Sequence, residues 1–266
     1  MSDFSVDRRM VNWSDGPVVI VVAGRDDSEH LSAPHAHARG QLFGSVRGLL
    51  TVGVDSAVWV VPSSHAVWLP PHRVHWACSH GPFEGWGAYV AEGACSALPE
   101  RACTIRISGL LREAVLRAGS WPLERATPLQ PAQDRVAQVI MDEIGTLPPE
   151  PLGLPMPVDA RLSRIARALV DDPASERGLD EWADWGAISA RTLSRRFVVE
   201  TGFTFSAWRQ RARLMRSLEL LATGQPVSTI ALDLGYSSAS AFIAVFRRAF
   251  GATPSAYQQR LTAAPP

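Results

Sequence analysis

A stretch of ten residues near the middle of the chain contains five prolines. It covers residues 148–157 and has the sequence Pro-Pro-Glu-Pro-Leu-Gly-Leu-Pro-Met-Pro. Proline lacks the backbone N–H that a helix or a central strand needs, so this stretch can be neither. It predicts a stiff connector over 148–158 between two domains. With 266 residues, of which 46% are hydrophobic, the chain can give each domain its own core.

The residues before the connector change their hydrophobic period near position 100. Between Val18 and about Val90, short apolar stretches rich in Val and Trp alternate with Gly, Pro and Asp-Ser breaks. This pattern predicts an all-β domain over 1–100. From Ile107 the apolar residues recur at helical spacing and predict middle helices over 101–147. The first helical stripe is formed by Leu110, Leu111, Ala114, Val115 and Ala118.

The part after the connector is basic, although the whole chain is neutral. Basic and acidic residues balance at 26 each, and every basic residue is arginine. Residues 185–266 nevertheless contain ten arginines and three acidic residues, a net charge of +7. This excess predicts a polyanionic partner for that end, while the balanced total excludes a uniformly basic, histone-like protein. All seven histidines lie within the first 80 residues, so the two ends serve different chemistry.

The last hundred residues contain a helical pattern that occurs twice. In each copy an alanine inside a helix is followed by a glycine, a serine cap and a helix with a buried aromatic residue. The first copy contains Ala183, Gly186 and Ser189, and the second contains Ala231, Gly235 and Ser237. The alanine lets two helices cross closely, the glycine supplies the turn, and the serine caps the helix that enters the major groove of DNA. The repeat therefore predicts two helix-turn-helix units.

Residues 159–260 resemble the DNA-binding domain of the AraC-type transcriptional regulators. The matching motifs are Leu193-Ser-Arg-Arg-Phe197, Glu200-Thr-Gly202-Phe-Thr-Phe, Trp208-Arg209-Gln-Arg211, Ile230-Ala231, Gly235-Tyr236, Ala241-Phe242, Phe246-Arg247-Arg248-Ala-Phe250-Gly251 and Pro254-Ser-Ala-Tyr257. The resemblance implies one long helix between the two helix-turn-helix units. Such a spacing lets one monomer address two successive major-groove faces, roughly 34 Å apart.

The resemblance also implies which residues contact DNA. On the first recognition helix the outer face is expected to contact bases, since arginine can hydrogen-bond guanine twice; the alternative is a merely solvated face. The residues of that face are Arg191, Ser194 and Arg195. The second recognition helix offers only Ser238 and Ser240, because Ala244 stands where the family often has a basic or polar residue. Phosphate contacts are expected from Arg196, Arg209, Arg247 and Arg248.

Two motifs in the first 80 residues are similar to those of cupin domains. His35-x-His37-x-x-x-Gln41, followed by Gly48, resembles the first cupin motif, with Gln41 in place of the usual glutamate. Pro70-Pro-His-Arg-Val-His75 resembles the second motif, P-x-G-x-x-H. The resemblance implies a double-stranded β-helix barrel, which AraC-type regulators commonly carry as an effector domain.

The histidines of these motifs are candidate ligands. His35 and His37 share one face of a predicted strand, and His75 from a distant strand can join them. Three imidazoles and the amide oxygen of Gln41 suit a divalent ion such as Zn, Ni, Co or Fe. The alternative is a metal-free pocket in which the same side chains hydrogen-bond an organic effector. The remaining histidines that fall on predicted turns, and are expected to be solvated, are His65, His72 and His80.

Together these observations predict a multidomain protein. An all-β cupin barrel over 1–100 is followed by middle helices over 101–147 and an all-α domain with two helix-turn-helix units over 159–266. The predicted function is a sequence-specific transcriptional regulator of double-stranded DNA whose barrel senses a small molecule or a divalent metal. A metal-dependent cupin enzyme with an appended DNA-binding domain is the alternative. It is disfavoured because Gln41 replaces the motif glutamate and an enzyme has no need of tandem helix-turn-helix units. A third reading is an architectural DNA-binding protein with a ligandless barrel.

The resemblance implies further partners and a location. RNA polymerase is one partner, and a second copy of the chain is another if 101–147 dimerise rather than pack against the barrel. Leu154–Leu162 is similar to a subgroup that controls transporter genes. No window reaches the ~18 apolar residues of a membrane span, and the first ten residues lack the apolar region of a secretory signal. With three cysteines at unpaired spacing, we expect a cytoplasmic protein without membrane contact.

Overall fold

The computed structural model describes residues 9–13, 16–26, 31–54, 57–80, 83–122, 129–150 and 153–262. The chain divides near residue 153 into a β-rich unit and a helical unit. The predicted architecture of an N-terminal β-rich part and a C-terminal helical part is therefore confirmed. All predicted site residues lie within the described ranges, whereas His30 lies outside them.

Most strands of the β-rich unit come from the region where the sequence predicts them. They are β1 (Val19–Asp26), β2 (Gly40–Arg47), β3 (Leu50–Val54), β4 (Ala57–Val61), β5 (His65–Leu69), β6 (His75–Ser79), β7 (Phe83–Val90) and β8 (Cys103–Arg106). Two very short strands, β9 (Pro149–Glu150) and β10 (Gly153–Pro155), lie in the proline-rich segment. Short 3-10 helices span Met10–Asn12 and Glu92–Ala97.

The described strands form two sheets. Their orders are β1-β7-β2-β5-β8-β9 and β10-β4-β3-β6. The proline-containing strands β9 and β10 are outermost, where a missing N–H is tolerated, so the expectation that this segment holds no central strand is met. The predicted double-stranded β-helix barrel is not confirmed, because the two sheets formed by the described strands do not close into a barrel. Apolar alternation marks strands but does not specify which edges pair.

The middle helices cover the six-stranded sheet. They are α1 (Gly109–Gly119) and α2 (Pro131–Thr146). One apolar core joins both helices to β1, β2, β5, β7 and β8, and it contains the buried side chains Trp68, Trp86, Leu111, Val115, Ile140 and Ile144. Packing against the sheet, one of the two roles that the sequence left open, is thus observed. Leu110 was wrongly assigned to the buried stripe: it is 59% exposed, because it starts the helix on the face away from the sheet.

From residue 160 to 262, the regular elements of the helical unit are all helices. Its helices are α3 (Ala160–Asp171), α4 (Leu179–Trp185), α5 (Ala190–Thr201), α6 (Phe205–Ala222), α7 (Val227–Asp233), α8 (Ala239–Phe250) and α9 (Pro254–Thr262). Side chains that accept a hydrogen bond from a first-turn N–H start four of them, and these caps are Asp159, Ser189, Thr204 and Ser238. The 18-residue α6, about 27 Å long at 1.5 Å per residue, joins α4–α5 to α7–α8.

The two helix-turn-helix turns differ in detail from the predicted ones. In the second turn Gly235 has the left-handed φ of 69° that favours glycine. In the first turn the left-handed residue is Ala187, with a φ of 52°, and Gly186 is helical. Gly186 is needed for space instead, because a Cβ there would lie 2.5 Å from Cδ1 of Ile165. The cap of α8 is Ser238 rather than Ser237, since this turn is one residue longer.

Aromatic residues form the cores of the helical unit. Phe197 packs edge-on against both Phe205 and Trp208, and Phe242 packs against Phe246. Phe250 is only half-buried, against Phe246. Across the described ranges, no helix has both the length and the apolar character that a membrane crossing requires.

Candidate DNA-binding surface and histidine cluster

The first recognition helix, α5, presents arginines on its outer face. Leu193 and Phe197 are fully buried, which directs the opposite side of the helix outward. Arg191 and Arg195, four residues apart, are exposed on that side, and Ser194 is half-buried beside them. Two guanidinium groups on one exposed helix face can each donate two hydrogen bonds to a guanine edge. The placement agrees with the predicted base contacts, which themselves stay predictions.

Arg196 has structural partners. Its guanidinium pairs with the Asp159 carboxylate, which caps α3, and lies 2.8 Å from a carboxylate oxygen of Glu200. Desolvation tends to raise the pKa of Asp159, but the backbone amides of Leu162 and Arg161 and the charge of Arg196 outweigh it, so this pKa lies below its ordinary value. Two carboxylates therefore neutralise Arg196 and tie α5 to α3. Its predicted phosphate contact stays a prediction.

The second recognition helix, α8, has a polar-poor outer face. Ser240 and Ala244 are exposed one turn apart. The hydroxyl of Ser238 accepts a hydrogen bond from the amide of Ala241, so it serves the helix cap. Arg247 and Arg248 are exposed in the last turn, and no carboxylate in the described ranges forms a salt bridge with either. The basic residues of α8 thus lie at its C-terminal end and not at its N-terminal end.

Three histidines of the β-rich unit meet at one point. His35 and His75 exchange two backbone hydrogen bonds of 2.9 and 2.8 Å as an isolated bridge, which brings the segment before β2 beside the first residue of β6. The ring centroids of His75 lie 4.3 Å from His35 and 4.9 Å from His37. One ring nitrogen of each histidine lies within 4.8 Å of the others. The prediction that His35 and His37 lie on a strand is wrong, because β2 begins only at Gly40.

Each of these rings uses its Nδ1 atom for a backbone carbonyl two residues away. The acceptors are the carbonyl oxygens of Ala33, Arg39 and Arg73, at 2.9, 2.7 and 2.8 Å from the Nδ1 atoms of His35, His37 and His75. Because a carbonyl oxygen only accepts, Nδ1 carries the proton and Nε2 of each neutral ring has a bare lone pair. Nε2 of His75 is buried and has no hydrogen-bond partner in the described structure. Backbone bonds of this kind orient metal-binding imidazoles.

Burial keeps two of the three rings neutral. His37 and His75 are 5% and 3% exposed, whereas His35 is half-exposed at the edge of the cluster. Desolvation lowers the pKa of His37 and lowers the pKa of His75 to about 4, and the neighbouring histidines add to both shifts. Neutral imidazole is the form that can ligate a metal ion.

Gln41 and Tyr89 complete the cluster. The second residue of β2, Gln41, is paired across the sheet with Tyr89 of β7, and its Nε2 donates to the Tyr89 hydroxyl at 3.0 Å. This bond turns Oε1 of Gln41 towards Nε2 of His37, at 3.2 Å. Nothing in the sequence around Tyr89 marked it as a site residue, because only the pairing of β2 with β7 brings it here.

The histidines predicted on turns have different surroundings. His72 is exposed, as expected, and its Nε2 lies 2.8 Å from a carboxylate oxygen of Glu92. His80 is half-buried, with Nε2 2.8 Å from the Thr51 hydroxyl. The expectation of a solvated His65 is wrong: it is the first residue of β5 and 7% exposed, because the strand begins one residue earlier than its apolar run.

Comparison with known proteins identifies the family to which this chain is similar. The family model described as "Helix-turn-helix domain" matches residues 182–260. The chain is 35% identical over 246 residues to the HTH-type transcriptional regulator NimR of Escherichia coli, covering 92% of this chain and 88% of that one. It is 38% identical over 122 residues to the regulator RipA of Corynebacterium glutamicum, covering 46% and 35%. The solved structure of ToxT from Vibrio cholerae, 10% identical, covers 92% of this chain and all of that one with a TM-score of 0.41.

Proposed function

Because this chain belongs to the AraC-type transcriptional regulators, we propose that its two helix-turn-helix units contact successive segments of duplex DNA and that its β-rich unit adjusts this binding through a divalent cation. The chain is a DNA-binding transcriptional regulator and not an enzyme. We further propose that the residues predicted above make sequence-specific DNA contacts, that the chain senses a cation, and that it controls a transporter gene. The same holds for a cupin-like barrel, contact with RNA polymerase and a homodimer.

One observation carries the cation proposal: the buried Nε2 atom of His75 has no hydrogen-bond partner in the described structure, and a ring nitrogen of His75 lies within 4.8 Å of one from each of two further histidines. An unsatisfied buried nitrogen is costly, and a cation shared with His35 and His37 would satisfy it. The same cation would also separate Oε1 of Gln41 from Nε2 of His37, two atoms that both only accept when the ring is neutral. Three imidazoles and an amide oxygen are a donor set for Zn, Ni, Co or Fe.

These residues would hold the ion, and it would supply a positive charge in an otherwise neutral cluster. The four donors carry no negative charge, so the bound ion would keep its full charge and favour an anionic effector in a remaining position. The half-exposed His35 stands on the side from which such a molecule could approach. Tyr89 would position Gln41 without touching the ion.

The test uses the metal-free full-length chain and Zn, Ni, Co or Fe(II) salts. A cation that binds only the folded state should raise the free energy of unfolding by about 2.7 kcal/mol at a concentration of 100 Kd, seen as a higher melting temperature. His37→Ala should abolish this rise. His80→Ala is the matched control, because His80 hydrogen-bonds Thr51 and takes no part in the cluster.

The link to regulation is tested by repeating DNA mobility shifts with and without the effective cation. Affinity should change for the parent chain and for His80→Ala, and stay constant for His37→Ala. If elemental analysis of the protein as purified, before metal removal, finds no metal and none of the four ions raises the melting temperature, the cation proposal fails. The cluster is then better explained as the hydrogen-bonding wall of an organic effector pocket.

A further inference from the structure

A cleft of about 720 Å³ in the helical unit lies where the two helix-turn-helix units, α4–α5 and α7–α8, meet the long helix α6. Its lining comes from the segment leading into α4, from the first half of α6 and from the turn between α7 and α8. Three neighbouring side chains of α6, Arg209, Gln210 and Arg213, contact the other two elements.

Two of the contacts fix the first helix-turn-helix unit. Nε of Arg213 donates to the carbonyl oxygen of Pro173 at 2.8 Å. The guanidinium of Arg209 donates to the carbonyl oxygen of Arg177 at 3.0 Å. Both carbonyls belong to the segment between α3 and α4, so α6 holds the start of the first unit at two points.

The remaining contacts fix the second unit. Nε2 of Gln210 donates to the hydroxyl of Tyr236 at 2.6 Å, and the guanidinium of Arg213 lies 5.7 Å from the centroid of the Tyr236 ring. Gly235, the preceding residue, packs so closely on Ala174 that a Cβ would lie 2.9 Å from its backbone. The turn of the second unit is thus held against the segment that leads into the first.

We infer that Arg209, Gln210 and Arg213 are positioning residues that set the distance and angle between the two recognition helices. The chain then accepts a single spacing between the two DNA sequences that it recognises. One inserted base pair moves the second sequence by about 3.4 Å and turns it by roughly 35°, since about ten base pairs make one turn. A fixed pair of recognition helices cannot follow such a rotation. This inference rests on the proposed contact of both units with DNA.

The experiment is a selection from random DNA duplexes with the full-length chain, followed by sequencing of the enriched sites. The parent chain should yield a strong sequence element for α5 and a weaker one for α8 at one spacing, and inserting one base pair should remove the contribution of the weaker element. Arg213→Ala should enrich sites at several spacings and lose much less affinity on insertion. The spacing preference is a readout that a general loss of stability would not broaden.

Arg164→Ala is the matched control. Arg164 also donates to a backbone carbonyl, that of Trp185 at 2.8 Å, and also stacks on an aromatic ring, that of Trp185 at 4.7 Å, but both contacts join α3 to α4 and involve neither α6 nor the second helix-turn-helix unit. This variant should keep the single spacing. Tyr236→Phe, which keeps the ring and loses only the bond to Gln210, serves if Arg213→Ala does not fold, and should also broaden the spacing.

The possible outcomes distinguish a failure of the proposed function from a failure of the inference about Arg209, Gln210 and Arg213. If the parent chain selects no sequence, the proposed function fails and the inference with it. If the parent selects two elements at one spacing, and Arg213→Ala and Tyr236→Phe keep that spacing as strictly as Arg164→Ala does, the inference alone is overturned.

Discussion

Replacing Gly235 by alanine should destabilise the helical unit through one identifiable contact. Gly235 has a φ of 69°, a conformation that costs an L-residue about 1–2 kcal/mol. The new Cβ would lie 2.9 Å from both Cα and the carbonyl oxygen of Ala174, and backbone atoms cannot turn aside as a side chain can. Overpacking of this kind adds about 1–3 kcal/mol, while the stiffer unfolded chain returns about 0.4–1. The expected net loss is roughly 2–4 kcal/mol.

Gly202→Ala separates the backbone cost from the steric cost. Gly202 has nearly the same conformation, with a φ of 77°, yet a Cβ there would meet no atom within 4 Å. Its replacement should cost only about 1 kcal/mol, the left-handed cost less the unfolded-state gain. Urea unfolding of the full-length variants, followed by circular dichroism, gives both values from the shift of the midpoint. Equal losses for the two variants would refute the close packing of the α7–α8 turn on Ala174.

Four further results are expected. Arg195→Ala should cost about 1–3 kcal/mol on the selected DNA and little on random DNA, whereas Arg247→Ala should weaken both alike and lower the salt slope by about one unit; mobility shifts over a salt series decide. Single-base variants of the DNA facing α8 should cost less than those facing α5, because Ser240 and Ala244 offer little discrimination; equal costs would contradict the assignment. Ala187→Gly should raise the unfolding free energy by about 0.5–1 kcal/mol in urea, since it relieves a left-handed alanine. The folded-state pKa of Asp159 lies below its ordinary 3.8, so its stabilising effect is present above that pH and is lost as the pH falls through the lower value. Asp159→Asn, which keeps the cap, should therefore remove this part of the acid sensitivity of unfolding below about pH 4.

Local rules were sufficient to predict most of the helical unit. The sequence alone predicts that Asp159 caps a helix ending before Pro173, because aspartate is a favoured N-cap and proline stops a helix, and α3 spans Ala160–Asp171 with that cap. Such features depend on residues within one or two turns, which is why a sequence reveals them. The errors concern single residues at the turns. In both copies the left-handed residue stands four positions after the motif alanine, so in the first copy it is Ala187 and not Gly186.

The β-rich unit was harder to predict because its decisive contacts are not local. β2 is central in its sheet, between β7 and β5, yet its sequence Gly-Gln-Leu-Phe-Gly-Ser-Val-Arg shows no apolar run. Whether the strands close into a barrel depends on which strand edges form hydrogen bonds with each other. The alternation of apolar residues along a strand does not specify this pairing. For the same reason Tyr89 joined the site only through its pairing with Gln41.

The histidine cluster was found from the sequence because the motif encodes a backbone shape as well as ligands. His72 stands where the second cupin-like motif has glycine, and it still adopts the left-handed φ of 61°. This conformation costs a non-glycine residue about 1–2 kcal/mol. Two contacts offset the cost: its amide donates to the carbonyl oxygen of His37 at 2.9 Å, and its ring lies 2.8 Å from the Glu92 carboxylate. The bond to His37 ties the loop before His75 to the segment that carries the other two rings. The strained backbone of His72 therefore lies at the point where a hydrogen bond connects the segments that carry the three histidines.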